Sequence, residues 1–426
     1  MRHFFIFLIL CIFASSTTVL VVSDDSEPSD PLREKAKADD AKAQMKLGNE
    51  YFYGKNRQKN YTLAAHWYRK AAEAGKASAQ FNLAICYDRG LGVDKSVFFA
   101  HKWYKKAADS GVKQARFNLA LGYARGIAPD EENKTPPVFA NEELAEKLLR
   151  ELQAEGFVPA TRELAVLRLT KEKEKRTPED FVEAFELLQK AAKAGDAPAM
   201  RLLAERYYLG DGCAKDNKKM MFWLKKAVAK GDSEAIGRLA FCYKYGDGAK
   251  ANPDLAFKFY KLAARRGLPM AQVKMGEYYE IGEYVKQDVE TARTWYEKAA
   301  EKKNPYALFK LGVFLYDGIA CEPDKLKGVG YFVKAAKLGD PHAQYNLACF
   351  FEEGKLVEPD PSAAFYWFKR AAKQKDARAQ RRLAFCYLYG LGVKKNLEKG
   401  FAWLNEAARN GDPEALKLIK DTNIPQ

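Results

Sequence analysis

Residues 77–93 read Ala77-Ser78-Ala79-Gln80-Phe81-Asn82-Leu83-Ala84-Ile85-Cys86-Tyr87-Asp88-Arg89-Gly90-Leu91-Gly92-Val93, and residues 100–108 read Ala100-His101-Lys102-Trp103-Tyr104-Lys105-Lys106-Ala107-Ala108. Ala79, Leu83 and Tyr87 stand four apart, which places them on one helical face. Gly90 suits a left-handed helix cap. In the second stretch Ala100 precedes Trp103 by three, and a small pair closes the pattern before Gly111. The stretch therefore predicts two short helices, each with a small/large alternation that lets them approach closely.

The same unit recurs along the whole chain. Gly75, Gly111, Gly156, Gly195, Gly231, Gly267, Lys303, Gly339, Lys375 and Gly411 close successive units, separated by 36, 45, 39, 36, 36, 36, 36, 36 and 36 residues. The first-half Ala recurs at 43, 79, 115, 160, 199, 235, 271, 307, 343 and 379, giving ten units. All six tryptophans (67, 103, 223, 295, 367 and 403) fall at one second-half position, which Leu148, Leu187, Phe259 and Tyr331 fill elsewhere. This reads as a core wedge, with truncation to Ala costing about 3–5 kcal/mol. Two units are irregular. The third has nine extra residues between Gly126 and Ala145; the fourth has three, with Arg168 in the Tyr position and Lys171 in the Gly position.

These residues resemble the Sel-1-like repeat, a longer relative of the tetratricopeptide repeat, over residues 39–420. The resemblance implies an all-α fold, a right-handed α/α superhelical solenoid of tandem helix-turn-helix repeats. It also implies an adaptor or scaffold role with a protein or peptide partner. Residues 24–38 read as a polar linker and 421–426 as a tail, while Pro413–Lys420 looks like a half-repeat covering the last apolar surface. Within the family, a cysteine-rich branch carries a regular disulfide in each repeat. This chain lacks that spacing, so the penicillin-binding and β-lactamase activities of that branch do not carry over.

Residues 1–23 read as a secretory signal peptide: Arg2 precedes an apolar run from Phe4 to Ala14, and small residues follow. The expected location is periplasmic or secreted, with the lumen of the endoplasmic reticulum as alternative, where Asn60 and Asn133 would be glycosylation sequons. No second apolar segment of membrane length follows, and the mature chain is expected to be a monomer without a membrane span. Loss of residues 1–23 removes one charge, Arg2, and takes the formal net charge from +15 to +14.

The pattern predicts no enzyme, cofactor or metal. His66, His101 and His342 lie in different units, and no HExxH, GxxxxGK[ST] or GxSxG spacing exists. Gly210-Asp211-Gly212 and Gly246-Asp247-Gly248 resemble phosphate loops but coincide with the turn between the two helices of their units. A cell-wall-related or penicillin-binding enzyme is the competing reading, and it lacks a catalytic constellation. Cys213 precedes Cys242 by 29 residues and Cys321 precedes Cys349 by 28. These could be two inter-repeat disulfides or buried free thiols.

Basic residues gather in the second helix before the small pair, as Lys105-Lys106 and Lys369-Arg370 do. They read as a solvated face that would favour an anionic partner or surface. Nucleic acid is not expected, since no recognition motif appears. In solenoids of this class partners dock on the first helices. The candidate groove there comprises the residue before each Leu (Asn82, Asn118, Arg238, Lys274, Lys310, Asn346 and Arg382) and residues seven further on (Arg89, Arg125 and Tyr389).

Overall fold

A computed structural model describes residues 30–127 and 137–422. The expected signal peptide at 1–23, the Asn133 sequon and residues 423–426 of the tail lie outside that range. Every named element is a helix, and the described residues contain twenty-two. They run as α1 (Pro31–Lys37), then ten pairs, then α22 (Pro413–Thr422). The pairs are α2 (Ala41–Tyr53) with α3 (Tyr61–Glu73), α4 (Ala77–Arg89) with α5 (Val97–Asp109), and α6 (Lys113–Arg125) with α7 (Glu142–Ala154). Next come α8 (Val158–Thr170) with α9 (Pro178–Lys193), α10 (Ala197–Leu209) with α11 (Asn217–Ala229), and α12 (Ser233–Tyr245) with α13 (Pro253–Arg265). The last four are α14 (Pro269–Ile281) with α15 (Val289–Glu301), α16 (Pro305–Asp317) with α17 (Lys325–Lys337), α18 (Pro341–Glu353) with α19 (Pro361–Lys373), and α20 (Ala377–Tyr389) with α21 (Leu397–Arg409). The described residues form two compact units, divided between Leu187 and Leu188.

Local sequence sets the helix ends. Asn60, Ser96, Asp216, Asn252, Asp288 and Asp360 each accept backbone N–H bonds at the start of a second helix. These caps satisfy donors that the helix itself cannot.

The packed wedge lies one residue beyond the tryptophans. Tyr68, Tyr296 and Phe368 are fully buried, whereas Trp103, Trp223, Trp295, Trp367 and Trp403 keep an edge in solvent and only Trp67 among the six is buried. Tyr68 and Tyr296 sit where a Cβ on Gly48 or Gly276 would be, so the glycine after Leu47 or Met275 makes room for the wedge of its own repeat. One position along a helix is a 100° rotation, enough to turn Trp295 and Trp367 onto apolar clusters that include the preceding second helix.

A second regularity binds one repeat to the next. Gln80 Nε2 donates to the carbonyl of Ala72 at 3.3 Å, Gln344 to Ala336 at 3.1 Å and Gln380 to Ala372 at 3.2 Å. Each brings a second donor to a carbonyl at the end of the preceding second helix, which also accepts the backbone N–H three residues on. Gln44 makes the same bond to Ala36 of α1 at 3.1 Å, and Ala36 is fully buried. The stretch expected as a polar linker therefore includes a helix that stands in for a missing second helix and caps the first repeat. At the other end Ala415 and Ile419 of α22 are buried against Leu404 and Ala407 of α21, the half-repeat anticipated there.

The irregular repeats are closed by specific contacts. Ile127 and Val138 exchange two backbone bonds of 2.7 and 2.9 Å at the neck of the insertion. Arg168, where other units have Tyr, is buried among carboxylates: Nη1 lies 2.8 Å from Glu146 and Nε 2.6 Å from Glu183. Arg150 bonds the same two glutamates. Hydrogen bonds from Arg168, and then from Arg150, hold the Glu146 carboxyl down at about 2.

Candidate functional site

The candidate groove residues divide into two rows with different chemistry. Those before the Leu are mostly half-buried and engaged with the preceding repeat. Asn82 Nδ2 lies 3.4 Å from Asn49 Oδ1, which also accepts the Tyr68 hydroxyl at 2.8 Å. Asn118 stands near Tyr104 of the preceding repeat and offsets part of the rise that burial gives its phenol. Arg238 reaches Glu205 at 3.3 Å, Lys310 reaches Glu280 at 2.6 Å, and Arg382 pairs with Glu352. Lys274 pairs along its own helix with Glu277 at 2.6 Å. Asn346 is half-buried in α18. Cations in this row are thus neutralised where they stand, and Arg238, Lys310 and Arg382 join neighbouring first helices.

The outer row is free of that ladder. Arg89, Arg125 and Tyr389 are exposed at the last residue of their first helices. In the second unit the same position holds Leu209, Tyr245 and Ile281, the latter two 59% and 71% exposed. The Tyr245 ring contacts that of Phe241, with centroids 4.5 Å apart. Phe241 in turn lines a pocket open to solvent that Tyr208, Arg201, Glu205, Arg238 and Asp247 complete. Leu209 and Ile281 were not among the sequence candidates, because single apolar residues on a helix read as core. Their signal was the 36-residue register with Tyr245 and Tyr389.

The Gly-x-Gly turns have a packing role. A Cβ on Gly92, Gly248 or Gly392 would strike the backbone at Tyr61, Asn217 or Pro361, the first residue of the second helix in the preceding repeat. Each of these glycines also has φ near +70° (70°, 74° and 67°), a conformation that side chains disfavour.

All six cysteines of the described chain are free thiols. Cys213 and Cys321 turn back on their own repeats, with Sγ 3.7 Å from the carbonyls of Arg206 and Phe314. The structure does not pair them with Cys242 and Cys349. Burial pushes the Cys86 thiol up to about 12 and those of Cys242 and Cys386 to about 11. Among the described residues no group of three or more His, Cys, Asp or Glu is placed to hold a metal, and no helix is long and apolar enough to cross a membrane.

Stacked helix pairs, cross-repeat glutamines and a first-helix side chain ladder define a tandem helical-repeat protein. The chain belongs to the Sel1 repeat family, whose repeat matches at residues 41–76, 77–112, 169–196, 197–232, 233–268, 269–304, 305–340, 341–376 and 377–412. The unmatched interval 113–168 holds the third unit and nearly all of the first helix of the fourth, and the structure nonetheless builds both units as helix pairs. The chain is similar to c5321, a protective antigen of uropathogenic Escherichia coli with an SLR fold. That likeness has 28% identity and a TM-score of 0.50, covering 92% of this chain and 90% of that one. A Sel1 repeat protein from Oxalobacter formigenes matches at 28% identity and a TM-score of 0.53, covering 59% of this chain and 99% of that one. No curated protein matches the chain. Sel1 repeats are generally protein-interaction scaffolds.

Proposed function

We propose that the chain is an exported, non-catalytic, monomeric scaffold that holds a protein or peptide against its first helices. The observation that carries this reading is the row Leu209, Tyr245 and Ile281, exposed one repeat apart beside the Phe241 pocket. Exposed apolar side chains in register, flanked by polar groups already neutralised, suit a partner that brings its own apolar anchors. Arg89, Arg125 and Tyr389 hold the equivalent position in other repeats. Export is supported by the apolar N-terminal run, and by the likeness to a protective antigen.

The test is capture of partners from an envelope or secretory fraction by the intact chain and by Leu209→Ser/Tyr245→Ser/Ile281→Ser. The variant should lose the captured protein by tenfold or more, on the order of 1.4 kcal/mol, with an unchanged melting temperature. Equal retention by both would overturn the first-helix reading. N-terminal sequencing of the recovered chain should show a start between Ser16 and Asp24.

A further inference from the structure

The second helices of Leu188–Gln426 carry a different surface, on which one register position holds cations without carboxylate partners among the described residues. Lys226 Nζ stands 5.2 Å from the centre of the Trp223 ring, Lys298 4.5 Å from Trp295, and Lys334 5.2 Å from Tyr331. The Arg370 guanidinium lies 5.6 Å from the Trp367 ring. All four are exposed, and none has a carboxylate partner among the described residues. The first-helix cations Arg238, Lys310 and Arg382 each have one.

The aromatic supports recur at one register position, 36 residues apart. Phe259 and Trp295 border one apolar cluster, Tyr331 and Trp367 a second, and Trp367 and Trp403 a third. The cations stand one turn further on, at the same register position of successive second helices, with Leu262 in their line. Apolar side chains stand exposed among them. Phe222 and Tyr366, which precede Trp223 and Trp367, are 51% and 49% exposed, and Leu262 takes the cation position in its own repeat. The row ends at Glu406, which occupies that position in the last pair.

We infer that this row docks on an anionic phospholipid surface, its cations meeting headgroups while Phe222, Leu262 and Tyr366 enter the interfacial layer. Unpaired cations alone would suit any polyanion. The exposed aromatic and aliphatic groups between them decide for lipid, because they gain nothing against a hydrated polyanion but gain burial at a membrane interface. Attachment would be peripheral and salt-sensitive. It leaves the first helices available to a protein partner and does not depend on their role.

The experiment is co-sedimentation of the mature chain with vesicles of phosphatidylglycerol and phosphatidylcholine, and with vesicles of phosphatidylcholine alone. Binding is expected to the anionic vesicles only and to fall as salt rises. Lys226→Glu/Lys298→Glu/Lys334→Glu/Arg370→Glu should weaken it by more than about a hundredfold. Phe222→Ser/Tyr366→Ser should weaken it while leaving the salt dependence in place. Circular dichroism melting checks that both variants fold, and Lys→Gln at the three lysines replaces the reversal if it does not. No binding to anionic vesicles, undiminished binding by the charge variant, or binding to heparin in place of vesicles would overturn the proposal.

Discussion

Lys310 Nζ lies 2.6 Å from Glu280 Oε1, and the buried Tyr296 donates its hydroxyl to Oε2 of the same carboxylate at 2.6 Å. Glu280 belongs to α14, Tyr296 to α15 and Lys310 to α16, so one carboxylate joins a helix pair to its successor. Burial, and then the bond to Glu280, push the Tyr296 phenol well above its ordinary range, which keeps it a donor.

Removing either end should loosen that junction. Lys310→Met is expected to cost about 1–2 kcal/mol, and Glu280→Gln a similar amount. A double-mutant cycle in urea should give a coupling of roughly 1 kcal/mol between them. Additive single effects would show that the contact carries no energy.

Two glycines with similar backbone angles should respond differently to alanine. At Gly231 nothing lies within 4 Å of an added Cβ, so only the positive φ of 89° is penalised, by about 1–2 kcal/mol. At Gly248 the added group also meets the Asn217 backbone, and the loss should exceed about 3 kcal/mol. Thermal melts of Gly231→Ala and Gly248→Ala compare them directly, and equal losses would contradict the close approach of adjacent repeats.

The acid limb of stability should depend on Glu146. Its folded pKa of about 2 is depressed from the ordinary 4.5, so its contribution is full above about 4.5 and is lost as pH falls toward 2. Glu146→Gln should therefore flatten the melting temperature between these values, alongside a general loss from leaving Arg168 half-partnered. A slope identical to that of the parent would remove Glu146 as its source.

Thiol reactivity should follow burial. Cys86, Cys242 and Cys386 are buried with raised thiol pKa values, while Cys213 and Cys321 are partly exposed. Alkylation of the native chain at pH 8 followed by peptide mass mapping should label Cys213 and Cys321 first, by tenfold or more in rate. Recovery of linked Cys213–Cys242 or Cys321–Cys349 peptides from a non-reduced digest would instead establish the disulfides.

The repeat, its two helices and their turns are legible in the order of residues, because periods of four residues and capping residues act within one short segment. Ala79, Leu83 and Tyr87 state a helical face without reference to anything else in the chain. Contacts between repeats were not legible in that way. Whether Lys310 is a free groove cation or the partner of Glu280, 30 residues away, depends on how one pair stacks on the next. The same stacking turns Trp295 outward and Tyr296 inward, and gives α1 the work of a missing helix. It also lets Arg168 replace an aromatic by collecting glutamates from α7 and α9. Tertiary structure alone decided which cations are neutralised, since a charge's partner is fixed by distance in space.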